Sequence, residues 1–405
     1  MRKGLKVVCV VPAGRRRYLH ALIPYLVSEE IIDEIHLWVN TSNDNDLRYM
    51  DIVAGMFDKI HLVAAPPMKS AVRTDNVGRF YQTAIQANTI YIKLDDDVVF
   101  IENDFFEKFV DFRINKRNAF LCLPMTINNA VCTYMHKCYG LLDEQSLTNV
   151  SPWAGDGVTY ADNLFAERVH KLFLDQYRQG SLDMFRYDDF MFNFTISINC
   201  CAWFGEDFAA FGGVIPHWKL DEFYLTVDKP VEMGKLNAFC GSTIISHYAF
   251  FVQRSYLDRT GLLEEYYSIS KLEIPDFGWG QFDALKDDCA FGPSGSGLAA
   301  AARYFSDVLV NINAKDVYIW GTGGFFEGVK DIFKGHNIKA FIENDSFKIG
   351  TTKDGVPVVT PFDLNSMPKL PIFICSCHFE SIIAQLKQNA PEFDVVVSHS
   401  QYVWD

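Results

Sequence analysis

The sequence lacks the long hydrophobic runs of membrane-spanning proteins. No apolar run in its 405 residues approaches the roughly 18 residues that a spanning helix needs. The run from Val7 to Val11 is also too short for the core of a signal peptide. We therefore predict no membrane span and a cytoplasmic location, either free or peripheral to a membrane.

Positive charge is scarce as well. The chain carries 37 basic against 51 acidic residues, for a formal net charge of -14, and its short basic run is Arg15-Arg16-Arg17. A phosphate backbone would be repelled by such a protein unless basic residues were segregated on one face. We predict that nucleic acid is not a partner.

Regular cysteine spacing is missing too. The ten cysteines lie mostly inside apolar segments and do not have the regular spacing of a disulfide framework, which favours a reducing compartment.

Hydrophobic residues are abundant at 49%, with 34 Phe and 18 Tyr, so the chain should fold into globular units. Because one domain takes roughly 150 residues, this length predicts two or three units.

Strand and helix patterns alternate from the start of the sequence. An apolar run from Leu5 stops at Pro12-Ala-Gly14, as a buried parallel strand stops at a turn. A helical spacing follows from Tyr18 to Leu26. Further predicted elements are strands at 35–39, 60–63 and 89–94 and a helix at 78–88. The alternation predicts an α/β sheet with ligands at the carboxyl ends of its strands.

The rest of the chain predicts a second unit. Residues 120–267 are irregular and rich in aromatic side chains, and glycine and proline accumulate between Lys271 and Gly297. A β/α alternation then starts again at Asp316. We predict a first domain over 1–270, a linker and connecting helix over 271–312, and a small Rossmann-like α/β domain over 313–405.

Three adjacent carboxylates follow the strand that ends at Leu94. Asp95-Asp96-Asp97 stands between two apolar runs, where strand propensity alone would not place groups that repel one another. A divalent cation resolves the repulsion, because Mg²⁺ and Mn²⁺ take oxygen ligands and bridge carboxylates to a substrate's phosphates. The triplet therefore predicts a metal site, and the alternative is an exposed acidic turn.

A strand followed by Asp-X-Asp resembles the nucleotide-sugar-dependent glycosyltransferases of the GT-A fold. The resemblance covers roughly residues 5–270 and includes Thr74-Asp-Asn76-Val-Gly78-Arg79, which is similar to the helix start before the acidic motif in many such enzymes. It implies an α/β fold with a GT-A type mixed sheet and flanking helices. It also implies Mn²⁺ or Mg²⁺ held by Asp95 and Asp97, and sugar transfer from a nucleoside diphosphate.

Three later positions fit the same resemblance. Asp221-Glu222 looks like the acidic pair that supplies the general base in inverting members, and Asp221 is preferred because it comes first after His217-Trp218, which could stack on an acceptor sugar. His247 looks like the late histidine that completes metal coordination, which would favour Mn²⁺. Arg254 could meet the pyrophosphate. The alternatives are a surface acidic pair, a core histidine and a surface arginine.

The nucleotide-sugar donor is expected across the ends of the first two strands, with arginines near its phosphates. The residues assigned to it are Pro12, Ala13, Arg15, Asn40, Asp44, Arg73, Asn76, Arg79, Asp96 and Arg254.

A glycine cluster, Gly321-Thr-Gly323-Gly324, follows a strand and opens a helix, which is the context of a dinucleotide fingerprint. The spacing departs from that fingerprint, since Phe326 occupies the last glycine position. A glycine turn can still bind an anion, so these three glycines are a candidate anion site. The module is similar to small Rossmann-like domains of sugar-modifying transferases, and the alternative roles are structural, acceptor-positioning or oligomerising.

The resemblance implies a metal-dependent glycosyltransferase of surface-glycan synthesis, with a glycan or lipid-linked acceptor and with homo-oligomerisation left open. One rival function is an NAD-dependent sugar dehydrogenase or epimerase that uses the Gly321 region, which the degenerate glycine spacing disfavours. A second rival is a non-catalytic sugar-nucleotide binding protein, in which the aspartates bind metal but no base is in place.

Overall fold

The computed structural model describes residues 2–41, 43–66, 76–142, 150–155, 157–216, 219–289, 297–345, 347–376, 379–390, 392–393 and 395–398. The chain divides into two compact units, Met1–Gly292 and Pro293–Asp405. The segment 271–312, predicted as a linker, is therefore shared between them. Its first part belongs to the core of the first unit, where Phe282, Leu285 and Cys289 are buried.

The first unit is built on one mixed sheet. Its strands are β1 (Lys6–Ala13), β2 (Glu34–Val39), β3 (Ile60–Val63), β4 (Thr89–Leu94), β5 (Val98–Ile101), β6 (Cys122–Ile127), β7 (Phe190–Phe192), β8 (Cys200–Phe204) and β9 (Asn237–His247). They pair in the order β3-β2-β1-β4-β8-β6-β9-β5, and β7 also pairs with β9.

Helices flank this sheet. They are α1 (Arg16–Ser28), α2 (Asp44–Met56), α3 (Asn76–Phe80), α4 (Phe105–Asn115), α5 (Ala130–Cys138), α6 (Gly157–Ala161), α7 (Asn163–Arg178), α8 (Gly205–Ala209), α9 (Asp221–Phe223), α10 (Lys229–Glu232), α11 (Arg254–Leu257), α12 (Leu262–Glu273), α13 (Trp279–Asp283) and α14 (Leu285–Asp288). A π-helical turn, Tyr224–Asp228, joins α9 to α10. Within the described residues, no helix has the length and apolar character to cross a membrane.

Strand direction decides which ends meet. The strands β3, β2, β1 and β4 are mutually parallel, β6 is parallel to β9, and β8 runs antiparallel to both β4 and β6. The carboxyl ends of β1, β2, β4, β6 and β9 therefore share one edge of the sheet. The chain reverses after β4, so that β5 pairs antiparallel with the end of β9. The predicted fold class, an α/β protein with a mixed sheet and flanking helices, is confirmed.

Both faces of the central strands are covered. Along β1, Val8 and Val10 belong to one hydrophobic cluster, whereas Val7, Cys9 and Val11 belong to the other. Burial on both faces explains the continuous apolar runs, because such strands have no solvent side that would require alternating polar residues. The same burial explains why residues 120–267 were wrongly predicted to be irregular, since this stretch holds the buried strands β6, β8 and β9.

The predicted helix at 78–88 is wrong for a tertiary reason. The helix α3 ends at Phe80, one 3₁₀ turn follows, and the chain then turns into β4. In a continuing helix, the Ala84 carbonyl would accept from the Asn88 amide. Instead the Trp203 indole donates to the Ala84 carbonyl at 3.0 Å, and the Asn88 amide donates to Glu206 Oε1 at 3.1 Å. Contacts from β8 and α8 thus replace the helical bond.

The second unit is a smaller α/β fold. Its elements are α15 (Gly297–Ile312), β10 (Asp316–Trp320), α16 (Gly324–Val329), β11 (Asn337–Ile342), β12 (Thr352–Lys353), β13 (Val356–Val359), β14 (Ile372–Ile374), α17 (Phe379–Asn389) and β15 (Val396–Ser398). The strand order is β12-β13-β11-β10-β14-β15, and all pairs are parallel except β12 with β13. The predicted β/α alternation after Asp316 is present.

A bulge in β9 sets where this strand ends. Pro124 of β6 pairs with Cys240, but the next residue pairs with Ile244, so 241–243 are extra residues on β9. Gly241 lies in this bulge, and its amide donates to Asp189 Oδ1 at 3.0 Å. A Cβ on Gly241 would lie 2.1 Å from the Tyr187 carbonyl oxygen. The bulge therefore requires glycine, and it fixes how far His247 reaches toward the sheet edge.

We expect Gly241→Ala to destabilise the first unit by about 3 kcal/mol, because the new methyl group overlaps backbone that cannot move freely. Gly55→Ala is the matched control. A Cβ on Gly55, in α2, meets no atom within 4 Å, and alanine should gain about 0.5 to 1 kcal/mol in a helix. Urea denaturation of both variants measures the difference, and equal stabilities would contradict the role given to Gly241.

Candidate active site

Polar side chains gather at the shared carboxyl edge of the sheet. Residues that follow or end these strands lie at this edge, so residues far apart in the sequence come close together there. The edge contains Gly14 and Arg15 after β1, Asp95 to Asp97 after β4, Asn128 and Asn129 after β6, Asn199 before β8, and His247 at the end of β9. The triplet and His247, predicted from sequence, are thus brought together.

Asp95, Asp97 and His247 form a candidate metal centre. One ligand atom from each residue lies within 4.8 Å of the others. Asp97 Oδ1 is buried and accepts no hydrogen bond among the described residues, and His247 Nε2 lies 3.5 Å from it. Two carboxylates and an imidazole suit Mn²⁺, and a buried carboxylate oxygen without a donor is costly unless a cation or proton reaches it. The residues present therefore fit a divalent cation.

His247 is oriented by the backbone. Its Nδ1 lies 3.2 Å from the Asn128 carbonyl oxygen, which can only accept, so Nδ1 carries the proton and Nε2 faces Asp97. Burial opposes a charged imidazole, but the Asp97 carboxylate outweighs it and raises the pKa of His247. Burial also opposes the Asp97 charge, but Arg15 and His247 lower the pKa of Asp97 below its usual value.

Asp95 is held by two neighbours that the sequence did not point to. Lys93 Nζ donates to Asp95 Oδ1 at 2.5 Å and to the Ile198 carbonyl at 2.8 Å, and Asn199 Nδ2 donates to Asp95 Oδ2 at 3.2 Å. Lys93 is only 3% exposed. The sequence did contain one sign of this ion pair, a lysine within a largely apolar strand. A fully buried lysine is rare unless it is paired with an acidic group.

Asp96 binds the turn after β1 and is not part of the candidate metal cluster. Its Oδ2 accepts from the amides of Gly14 and Arg15, both at 3.0 Å, and its Oδ1 accepts from the Arg15 guanidinium, with Nε at 2.8 Å. Arg15 Nη1 also lies 3.1 Å from Asp97 Oδ2. Burial raises the pKa of Asp96 to about 6, although Arg15 opposes that rise. The Asp96 carboxylate and the Arg15 guanidinium are therefore bonded mainly to each other.

Asp221 and Glu222 lie at the start of α9. Asp221 Oδ2 accepts from the Tyr81 hydroxyl at 3.0 Å, and its Oδ1 accepts from the Glu222 amide at 2.9 Å. Burial raises the pKa of Glu222 to about 7, with the Asp221 charge adding to the rise, while Ser197 and Lys93 act against it. The Lys93 charge lowers the pKa of Glu222 and the Asp95 charge raises it.

The remaining residues assigned to the donor occupy varied positions. Pro12 and Ala13 are buried in β1, the Asn40 amide donates to the Ala13 carbonyl at 2.9 Å, and Asp44 is an exposed residue of α2. Arg79 donates to the Pro66 carbonyl.

Among the residues assigned to the sugar donor, Arg254 contacts the candidate metal centre, since its Nη2 lies 3.3 Å from Asp97 Oδ2. Its guanidinium also keeps an N–H, on Nε, that has no hydrogen-bond partner among the described residues. Arg73, the side chain of Asn76, and His217-Trp218 lie outside the described residues.

The glycine cluster of the second unit follows β10. Gly321 has a φ of 105°, and a Cβ there would lie 2.5 Å from the Cys375 carbonyl oxygen, so the turn needs glycine for close approach to β14. The Thr322 amide donates to Glu343 Oε1 at 2.8 Å, and its hydroxyl donates to the same oxygen at 2.5 Å. A carboxylate of the chain itself therefore binds the turn that also holds Gly323 and Gly324.

No family model and no curated protein matches the chain. Among solved structures it resembles the mannosyltransferase PcManGT from Pyrobaculum calidifontis, in complex with GDP-Man and Mn²⁺, with 10% identity over 76% of this chain and 80% of that chain and a TM-score of 0.37. It also resembles Mycobacterium tuberculosis glucosyl-3-phosphoglycerate synthase in complex with Mn²⁺ and UDP, with 16% identity, coverages of 45% and 68%, and a TM-score of 0.27.

A further likeness is to 4-diphosphocytidyl-2C-methyl-D-erythritol synthase from Anaerococcus prevotii, with 14% identity over 31% of this chain and a TM-score of 0.24. The chain spans 56% of that enzyme's length. Because these TM-scores are low, the function of this protein rests on its own residues.

We expect Asp96→Ala to destabilise the first unit by about 3 kcal/mol, because the Arg15 side chain, which is only 14% exposed, loses its main partner. Asp51→Ala, at an exposed position of α2, is the control and should change stability by less than about 0.5 kcal/mol. Urea denaturation gives both values. A stable Asp96→Ala protein that fails to bind nucleotide sugars would instead make Asp96 a donor ligand.

Proposed function

We propose that the protein is a metal-dependent glycosyltransferase that takes a sugar from a nucleoside diphosphate to a glycan or lipid-linked acceptor. The observation that carries the proposal is the convergence of Asp95, Asp97 and His247 at the carboxyl edge of the sheet. Hard oxygen ligands suit the cation that accompanies a diphosphate.

The cation would be held by Asp95, Asp97 and His247. When bound, it would neutralise charge on the departing diphosphate, which is the usual contribution of a divalent metal to such a transfer. An imidazole ligand favours Mn²⁺ over Mg²⁺, because Mg²⁺ prefers oxygen ligands. Mn²⁺ is therefore the proposed ion.

Arg254 is the proposed partner of the diphosphate. Its Nη2 contacts Asp97, whereas its Nε is buried and has no hydrogen-bond partner among the described residues. An unsatisfied guanidinium N–H beside a metal centre is suited to a phosphate oxygen. Arg15 is a weaker candidate for this role, because its guanidinium is already engaged by Asp96 and Asp97.

Glu222 is the proposed general base, rather than Asp221. Both oxygens of Asp221 already accept hydrogen bonds, one from Tyr81 and one from the Glu222 amide. The pKa of Glu222, raised by burial to about 7, matches that of a base that works near neutral pH. This preference replaces the choice of Asp221, which depended on its place after His217-Trp218.

The second unit is proposed to position the acceptor or to mediate self-association. Its glycine turn binds Glu343 of the same chain, so the turn does not present a free anion site at the Thr322 amide. This arrangement gives no support to the rival function as an NAD-dependent dehydrogenase or epimerase.

The metal proposal predicts that Asp95→Asn and Asp97→Asn abolish turnover while the protein stays folded, because the cation loses a charged ligand. Release of nucleoside diphosphate from a panel of nucleoside-diphosphate sugars measures turnover, and circular dichroism checks the fold. Asp188→Asn, at an exposed position, is the control and should keep full activity. Activity that survives excess chelator, or mutants as active as the native chain, would rule out the metal site.

The base proposal predicts that Glu222→Gln lowers the rate by roughly 10² to 10⁴ without changing donor affinity. The native rate should fall as pH drops below about 7, because protonated Glu222 cannot accept a proton. A bound cation would move this limb to lower pH without removing it, and the limb should be absent in Glu222→Gln. Asp221→Asn is the paired variant. A loss confined to Asp221→Asn would return the base to Asp221.

A further inference from the structure

The chain between His247 and Arg254 is fixed by buried polar side chains that do not themselves reach the candidate metal. Asn128, His170 and Gln253 are 3%, 0% and 0% exposed. Buried amides and imidazoles are costly unless their hydrogen bonds are made, so their partners define a specific geometry. Here the partners belong to the segment that carries one proposed metal ligand and one proposed phosphate ligand.

The carbonyl of Tyr248, next to His247, receives two of these bonds. His170 Nε2 lies 2.8 Å from it and Asn128 Nδ2 lies 3.0 Å from it. Because a carbonyl oxygen only accepts, His170 carries its proton on Nε2, and its Nδ1 accepts from the Tyr266 hydroxyl at 2.8 Å. Both lone pairs of the Tyr248 carbonyl are thereby used.

Gln253 closes the loop that follows. Its Oε1 accepts from the Phe250 amide at 3.1 Å and from Asn128 Nδ2 at 3.0 Å, and its Nε2 donates to the Thr159 carbonyl at 2.8 Å. The Gln253 backbone amide donates to the Phe250 carbonyl at 2.8 Å. Residues 248–253 are therefore tied into one conformation, and α11 starts from it with Arg254.

Asn128 connects this loop to the imidazole. Its side chain binds Tyr248 and Gln253, while its backbone carbonyl accepts from His247 Nδ1 at 3.2 Å. Asn128 has a φ of 57°, a left-handed conformation that asparagine tolerates better than most residues. One residue thus sets both the ring orientation of His247 and the path of the chain after it.

We propose that Asn128 and Gln253 are positioning residues for the metal centre. They hold His247 with Nε2 toward Asp97 and place Arg254 beside the same carboxylate. This inference rests on the proposed function, because it assumes that His247 binds the cation. Residues that orient a metal-bound histidine typically contribute about 10- to 100-fold to metal affinity. We expect a contribution of about this size from Asn128 and from Gln253.

The test measures Mn²⁺ binding alone, by electron paramagnetic resonance of the free ion, in Asn128→Gly and Gln253→Met. Glycine keeps the left-handed backbone of position 128, and methionine keeps the length of the glutamine side chain. We expect both variants to bind Mn²⁺ about 10 to 100 times more weakly than the native chain. If Asn128→Gly does not fold, Gln253→Met decides the outcome.

Asn237→Ala is the matched control. Asn237 is 0% exposed and is likewise bonded at both ends of its amide, to the Leu121 amide at 3.2 Å and the Thr226 carbonyl at 2.7 Å. Asn237 lies at the start of β9, far along the strand from His247. The Asn237→Ala substitution should therefore lower the melting temperature without changing the Mn²⁺ affinity. Equal weakening in the control, or native affinity in folded Asn128→Gly and Gln253→Met, would overturn the inference.

Native protein and His247→Ala separate this inference from the proposed function. If the native chain binds no Mn²⁺, or binds it equally well without His247, the metal centre itself is wrong and the positioning role falls with it. If His247→Ala weakens binding while the two positioning variants do not, the metal centre stands and only the role of Asn128 and Gln253 is rejected.

Discussion

The repulsion between three adjacent carboxylates is the constraint on which this structure depends. Asp95, Asp96 and Asp97 cannot all be buried together without compensation, because each charge loses water and faces a like charge. The chain compensates each charge with its own set of partners, of which Arg15 is shared by Asp96 and Asp97. Lys93 and Asn199 bind Asp95, Arg15 and the turn after β1 bind Asp96, and His247, Arg15 and Arg254 surround Asp97.

This compensation needs a mixed sheet. The chain reverses between β4 and β5, and β5 then pairs with the end of β9, which places His247 opposite Val98. The bulge at Gly241 fixes the length of β9 that remains before the edge. Asp96 meanwhile faces the neighbouring parallel strand β1, whose turn offers backbone amides and Arg15. One residue of the triplet therefore stabilises the fold, and its two neighbours belong to the proposed metal centre.

The electrostatic balance also separates the two acidic groups at α9. Asp221 is satisfied by a tyrosine hydroxyl and a backbone amide, which is how a structural carboxylate is bound. Glu222 is partly buried beside that charge, so its proton is held more tightly and its pKa rises to about 7. The π-helical turn that follows them is a feature frequent at functional sites. Adjacent residues of one type thus acquire different chemistry from their surroundings.

The sequence alone determined the strands β1 to β4, the acidic triplet at a strand end, the α/β class and the start of a second α/β unit, because apolar runs and turn residues act locally. It also pointed to His247 through a family resemblance. Only the tertiary structure decided that Asp96 turns to Arg15, that Lys93 is buried, that Asn128 and Gln253 hold the loop after His247, and that the predicted helix at 78–88 ends early. These outcomes depend on strand order and on side chains many residues apart, and periodicity in one segment carries no information about its partners.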